Sequence, residues 1–289
     1  MANAAPASIG RVNASGSEDA LFLKVFAGEV ITSFNRASVT EGSEMVRSIA
    51  SGKSATFPVM GRIDAEYHTP GAEINGQDVN HNEKVITIND LLISHAFLSN
   101  LEEAKNHWDV RSAYSTEIGR ALAFTKDRHV LQTIGLASQA NANVTGGDGG
   151  TTITNTDIAN ATASTSANGF ITALFDAAKA LDNNYVPSEG RVCFLDPEMY
   201  YKLANATNAI NVDFSGKGSI AEGKVQKIAG ITLKPCPHFV KSDVGTSSVF
   251  AGSATQGGST PQSVNLTNYE GLVCHPSAVG TVKLMDLAT

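Results

Sequence analysis

The sequence predicts an α+β fold with a two-stranded arm that projects from the body of the subunit. Three observations predict it. Period-two stretches flank a long polar turn between Ser54 and Ile93. A proline-free stretch from Ser99 to Ile134 has helical periodicity, and helix and strand patterns alternate from Asn168 to about His275. The 289 residues leave room for one large domain or two modest ones. With 42% hydrophobic and 17% charged residues, the composition is that of an ordinary globular protein. No run of about 18 apolar residues is present to span a membrane as a helix.

The elements follow in chain order. Met1 to Ser17 is rich in Ala, Ser, Asn and Gly, lacks the apolar core of a signal peptide and reads as a flexible leader. Glu18 to Arg36 places Leu21, Phe22, Val25, Phe26, Ile31 and Phe34 at helical spacing, with acidic Glu18 and Asp19 at its start. In the arm, Thr56 to Tyr67 puts Phe57, Val59, Ile63, Ala65 and Tyr67 on one face of a strand and Thr56, Pro58, Arg62, Asp64 and Glu66 on the other. Pro58 lacks a ladder donor, which confines the strand to an edge or requires a bulge. A polar turn, His68 to Asn82, leads to a second strand, Glu83 to Ile93. Each strand is predicted to span about 35 Å at roughly 3.3 Å per residue.

An isolated two-stranded ribbon is marginal in water, and a polar tip of this length is unusual inside a compact domain. The arm is therefore expected to project and dock on a neighbouring copy. The mixed charges Arg62, Asp64, Glu66 and Lys84 would set register and specificity there. The predicted contact set is Phe57, Arg62, Asp64, Glu66, Tyr67, His68, Glu83 and Lys84.

Ser99 to Glu102 matches a capping box and opens a helix predicted to run to Ile134, with Gly135 as its stop. At 1.5 Å per residue it spans roughly 50 Å and reads as a spine. Asn141 to Asn168 reads as a linker or surface loop, and its cluster Gly146 to Gly150 as a flexible loop, because no helix start follows to build a phosphate cradle. Gly169 to Asn183 is a predicted helix and Arg191 to Leu195 a short buried strand. Asp196 caps a helix that has Pro197 at its first position and runs to about Ala206. Strands are predicted near Lys224 to Pro235, Glu270 to Cys274 and Gly280 to Leu287.

The chemistry-bearing residues offer no catalytic constellation. The net charge of −7 argues against sequence-independent DNA binding. Cys193, Cys236 and Cys274 have no CxxC spacing and read as three reduced, buried thiols, which fits synthesis in a reducing cytoplasm. Cys236 and His238 fall short of the four ligands of a structural zinc, and no GxSxG elbow exists. No metal, cofactor or enzymatic activity is expected. His68 and His81 flank the arm's tip among Asp64, Glu66, Glu73 and Asp78, as a solvated polar loop or as an inter-subunit charge contact.

Six ordered blocks then carry a family resemblance. They are Ala20 to Val30 (ALFLKVFAGEV), Met45 to Gly61 (MVRSIASGKSATFPVMG), Glu83 to Leu92 (EKVITINDLL), Asn106 to Tyr114 (NHWDVRSAY), Asn184 to Val192 (NYVPSEGRV) and His275 to Leu287 (HPSAVGTVKLMDL). On these the chain resembles the major capsid proteins of short-tailed phages of the T-seven type (podoviruses), which have the Hong Kong-type tailed-phage capsid fold. The resemblance implies an N-terminal arm over residues 1–50 and an extended β-hairpin loop over 51–93. It implies a peripheral domain with the spine helix over 94–167, an axial domain over 168–275 and a return strand over 276–289. Relatives usually continue past the position of Leu287 with a further tail.

The implied function is structural: self-assembly as hexamers and pentamers into an icosahedral shell that encloses the phage genome. The implied partners are further copies of the chain, portal and scaffolding proteins, a decoration protein, and packaged DNA held without sequence-specific binding. No membrane is involved. The implied location is the virion capsid, after assembly in the host bacterial cytoplasm. An encapsulin-like bacterial compartment shell of the same fold is the alternative, and an α+β enzyme with a regulatory arm is a third reading.

Overall fold

The computed structural model describes residues 38–71, 73–74, 76, 78–88, 92–94, 110–206, 218–219, 224–225, 227–239, 241–244 and 264–284. The predicted helix over Glu18 to Arg36 and the capping box Ser99 to Glu102 lie outside them. The described residues between 39 and 88 and between 127 and 284 belong to one compact unit. Residue 38, residues 92–94 and residues 110–126 belong to a second.

Three short strands open the described chain: β1 (Met45–Ser48), β2 (Ser54–Met60) and β3 (His81–Thr87). Helix α1 (Val110–Gln139) follows, and its 30 residues span roughly 45 Å. It does not stop at Gly135 as predicted. A Cβ at that position would lie 2.8 Å from Leu266 Cδ2, so Gly135 lets Leu266 pack against the helix axis and the helix runs on through it.

Beyond α1 a 3₁₀ turn covers Thr156–Ala159, with Asn155 Oδ1 accepting from Asp157 N at 2.9 Å. Helix α2 (Ala163–Asn183) begins six residues before the predicted start, because the Ala/Ser/Thr-rich segment taken for a loop winds into its first turns. Strand β4 (Val192–Leu195) and helix α3 (Pro197–Ala204) come next. Asp196 stands at the N-cap of α3, but its side chain makes no capping hydrogen bond. Its carboxylate sits 3.1 Å from Lys241 Nζ instead, and Glu270 lies 2.6 Å from the same ammonium. Partial burial opposes the charge on Lys241. The hydrogen bonds to the two carboxylates outweigh that cost and raise its pKa above the ordinary lysine value.

The remaining strands are β5 (Gly218–Ser219), β6 (Lys224–Val225), β7 (Lys227–Ile228), β8 (Ile231–Pro235), β9 (Asp243–Val244), β10 (Val264–Asn265), β11 (Gly271–Cys274) and β12 (Gly280–Lys283). The central sheet has the order β11-β4-β8-β7. Strand β4 pairs parallel with β8 and antiparallel with β11, and β7 and β8 form a hairpin. The hairpin turns through Ala229 and Gly230, both at positive φ, as a two-residue turn that matches strand twist requires.

Strand β4 is buried at every position because both faces of the sheet are covered. On one face Cys193 and Leu195 pack with Phe170 and Leu174 of α2 and Met199 and Leu203 of α3. On the other, Val192 and Phe194 pack with Val130, Leu131 and Ile134 of α1 and with Leu272 and Cys274 of β11. The result is a helix–sheet–helix sandwich closed by the second half of the spine.

All three cysteines are buried free thiols in this core, as the sequence predicts. Burial pushes the Cys274 thiol up to about 12 and, with Asp127 nearby, the Cys236 thiol to about 11. They stay protonated and unreactive at neutral pH.

The segment preceding β1 is pinned to the core by buried polar groups. Asp127 accepts from Val39 N and from Thr40 Oγ1, each at 2.7 Å. Lys234 Nζ donates to Ser43 Oγ at 3.0 Å, and Thr281 Oγ1 donates to Glu44 Oε2. Strand β1 then pairs parallel with β12, which ties residues 45–48 to residues 280–283.

Candidate inter-subunit surface

The arm starts as β2 and β3, which pair antiparallel from Ser54↔Thr87 to Met60↔His81. Alternation along β2 is as predicted: Ala55, Phe57 and Val59 turn inward, while Thr56, Pro58 and Met60 are exposed. Both strands are edges of a two-stranded ribbon, which accommodates Pro58. The paired part is shorter than predicted, seven residues a side or roughly 23 Å. Ile63, Ala65 and Tyr67 continue the alternation in sequence but lie beyond the last pair.

The inner face of the ribbon is anchored on β12. A Cβ at Gly280 would lie 3.2 Å from Phe57 Cζ and 3.3 Å from Ile86 Cδ1, so glycine is what lets the ribbon sit this close. The Arg47 guanidinium lies 5.9 Å over the Phe57 ring and donates to Thr56 O at 2.6 Å. Phe57 is thus half-buried by its own chain. Lys84 opposes Phe57 and Glu83 opposes Pro58, which puts these two charges on opposite faces of the ribbon.

Where pairing ends, the chain is latched. Gly61 N donates to Asn80 O at 2.8 Å, and Asn82 Nδ2 donates to Asn143 O. Arg62 Nη2 pairs with Asp148 and donates to Asn184 O at 3.0 Å, and its guanidinium lies 5.0 Å over the ring of Tyr185. Tyr185 terminates α2. Its N–H reaches Asp182 O and the N–H of Val186 reaches Leu181 O, each at 3.0 Å, the bond pair of a Schellman C-cap. Glycine normally takes the left-handed position of that cap, yet here a tyrosine holds φ 56°. The strain keeps an 82% exposed ring in place as a platform for Arg62.

Asp148 comes from the glycine cluster. That cluster is a packed turn and not the predicted flexible loop. Gly150 N donates to Ala140 O at 2.9 Å, and a Cβ on Gly150 would lie 2.0 Å from Ala137 O, so only glycine can pass the end of α1 here.

Past the latch the surface is open. Asp64, Glu66, Tyr67 and His68 are exposed, with Tyr67 fully so. Ile63 is 63% and Ile74 78% exposed. The predicted contact residues thus separate into three groups. Phe57, Glu83 and Lys84 belong to the anchored ribbon, Arg62 to the latch, and Asp64, Glu66, Tyr67 and His68 to the free tip. Tyr185 and Asp148 were not found from sequence. The one available signal was that no glycine follows Asn183-Asn184 where the helix must end.

Comparison with known proteins bears on what this surface is for. The Gp10A-like family, described as major capsid protein, matches residues 56–289. The chain is 39% identical to the major capsid protein of Escherichia phage T7, over 96% of this chain and 84% of that protein. The capsid structure of cyanophage P-SCSP1u superposes with a TM-score of 0.73 at 42% identity, covering 99% of this chain and 87% of that one. The mature capsid of bacteriophage PhiM1 superposes with a TM-score of 0.66 at 19% identity, over 83% of this chain and 72% of that one, a likeness of fold.

Proposed function

The chain belongs to the Gp10A-like family of major capsid proteins, and from that premise we propose that its arm is the clamp that joins one subunit to the next in the phage shell. The protein is a structural component of a T7-like virion, with the α+β Hong Kong-type fold. Among the described residues no helix is long and apolar enough to cross a membrane.

Subunits pack as hexamers and pentamers, and the shell closes around DNA without reading its sequence. In this reading residues 1–50 are the N-terminal arm, 51–93 the extended loop, 94–167 the peripheral domain, 168–275 the axial domain and 276–289 the return strand. Portal, scaffolding and decoration proteins are the further partners, and the subunit performs no catalysis. The net charge of −7 supports a wall to which packaged DNA does not adhere. A compartment shell of the same fold is the second reading, and the 39% identity to a phage major capsid protein favours the phage.

The observation that carries the clamp is the exposure of Ile63, Tyr67 and Ile74 beyond a latched ribbon. Monomeric proteins seldom leave large apolar side chains grouped at the end of an arm. Deleting residues 68–78, which spares Asn80 and Asn82 of the latch and every pair of the ribbon, tests it. The expected product keeps the far-ultraviolet circular dichroism and unfolding transition of the parent but yields no stable shells by electron microscopy. Normal shells from the deleted chain would overturn the clamp.

A further inference from the structure

The arm is segregated in charge along its length. From Gly61 to Asn80 the sequence holds four carboxylates, Asp64, Glu66, Glu73 and Asp78, and one cation, Arg62. That guanidinium is engaged by Asp148. The base is the reverse. Residues 45–60, 81–88 and 280–284, which form β1, β2, β3 and β12, hold Arg47, Lys53, Lys84 and Lys283 against one carboxylate, Glu83, which lies on the ribbon face opposite Lys84. Both ends also expose apolar side chains: Ile63, Tyr67 and Ile74 at the tip, and Met45, Val46, Val85 and Leu284 at the base.

We infer that the acidic tip of one subunit docks on the basic ledge at the base of the arm of a second copy, formed by Lys53, Lys84, Lys283 and Arg47. The inference rests on the clamp reading and names its receptor. The two surfaces are complementary in sign, and each carries apolar residues to exclude water between them. Tip and base are different patches of one chain, so the contact is heterologous and propagates head to tail into a ring. The latch fits this geometry. By engaging Arg62, Asp148 removes the cation that would otherwise offset the tip's charge.

Charge exchange tests the pairing on the full chain. A tip-reversed chain carries Asp64→Lys, Glu66→Lys, Glu73→Lys and Asp78→Lys. A base-reversed chain carries Lys53→Glu, Lys84→Glu and Lys283→Glu, sparing Arg47 because it is bonded to Thr56 O. Each alone is expected to fold, by unfolding transition, and to lose sedimenting shells. A chain carrying both sets is expected to recover them.

An equimolar mixture of the two single-set chains is expected to form rings with an even number of subunits, since only unlike neighbours attract. Normal shells from the tip-reversed chain alone, or no recovery in the folded double-set chain, would overturn the inference. The deletion of residues 68–78 separates the two readings. Loss of shells on deletion with none on reversal keeps the clamp and removes the charge pairing, whereas normal shells on deletion remove both.

Discussion

The central sheet and the arm are written in the same alternation of apolar residues, yet they use it differently. In β4, Val192 and Phe194 face one layer of helix and Cys193 and Leu195 face the other, so every apolar side chain is spent inside the subunit. In the arm, alternation is spent internally only as far as Val59. Beyond the latch, Ile63, Tyr67 and Ile74 stay in solvent. A core residue is therefore read out in the stability of one chain, and a tip residue in the association of many. Substitutions in the two regions should move two different measurements.

The largest expected effect lies in the sheet. Phe194 of β4 is fully buried against α1, with Lys234 Nζ 5.7 Å from its ring. Phe194→Ala leaves a cavity and should cost about 3–5 kcal/mol, a large share of the ~5–15 kcal/mol that holds a typical domain. The variant should unfold at much lower denaturant and form no shells, because no folded subunit accumulates. A near-parental midpoint would mean that the core is not where stability resides.

Next in size is Asp127→Ala. Asp127 is fully buried in α1 and accepts from Val39 N and Thr40 Oγ1. Removing the carboxylate strands a buried hydroxyl and a part-buried amide, at about 2–3 kcal/mol in all. Chemical denaturation should report that loss, with increased proteolysis near residues 39–44. Asp127→Asn keeps an acceptor and should recover part of it.

How much of this was legible in sequence follows the range of the interactions. The inward positions of Phe57 and Val59 were visible because a strand's period of two is local. Where the strand stops was not visible. Ile63, Ala65 and Tyr67 keep the same alternation, and the last pair is followed at once by a distant contact, Arg62 with Asp148, 86 residues away. Gly135 looked like a helix stop because glycine usually is one, and its actual role depends on Leu266. The start of α2 was hidden by Ala/Ser/Thr composition, which suits a loop as well as a first turn. The six-block resemblance identified the family, but it could not separate the anchored, latched and free parts of the arm. Only Tyr185, a tyrosine in a glycine position, marks the latch, and its φ is not encoded locally.

The latch lies between the two regions and should give an intermediate effect. Arg62→Ala removes a half-exposed ion pair, worth about 0.2–1 kcal/mol, and a cation–π contact worth about 0.5–1 kcal/mol. Thermal unfolding should register a total near 1 kcal/mol. In a Tyr185→Gly background the same substitution should cost less, giving a coupling of about 0.5 kcal/mol in a double-mutant cycle. Additive costs would mean that Tyr185 is not the platform.

The smallest effect on stability, and the largest contrast with Phe194, belongs to the paired substitution Tyr67→Ser and Ile74→Ser. Both side chains are in solvent within the subunit, so their removal leaves no cavity and strands no partner. Surface changes of this kind stay within about 0.5 kcal/mol, and the unfolding curve should overlay the parent's. Assembly should respond oppositely. If the tip closes on a neighbour, each side chain becomes part of the apolar centre of that contact, where aromatic anchors carry much of the binding energy. Light scattering during assembly should then show a slower rise and a lower plateau at equal protein concentration, recovered in part by Tyr67→Phe, which keeps the ring. Unchanged scattering with unchanged stability would leave the tip without a role in either region's economy and would end the contrast between a core that folds the chain and an arm that joins it to others.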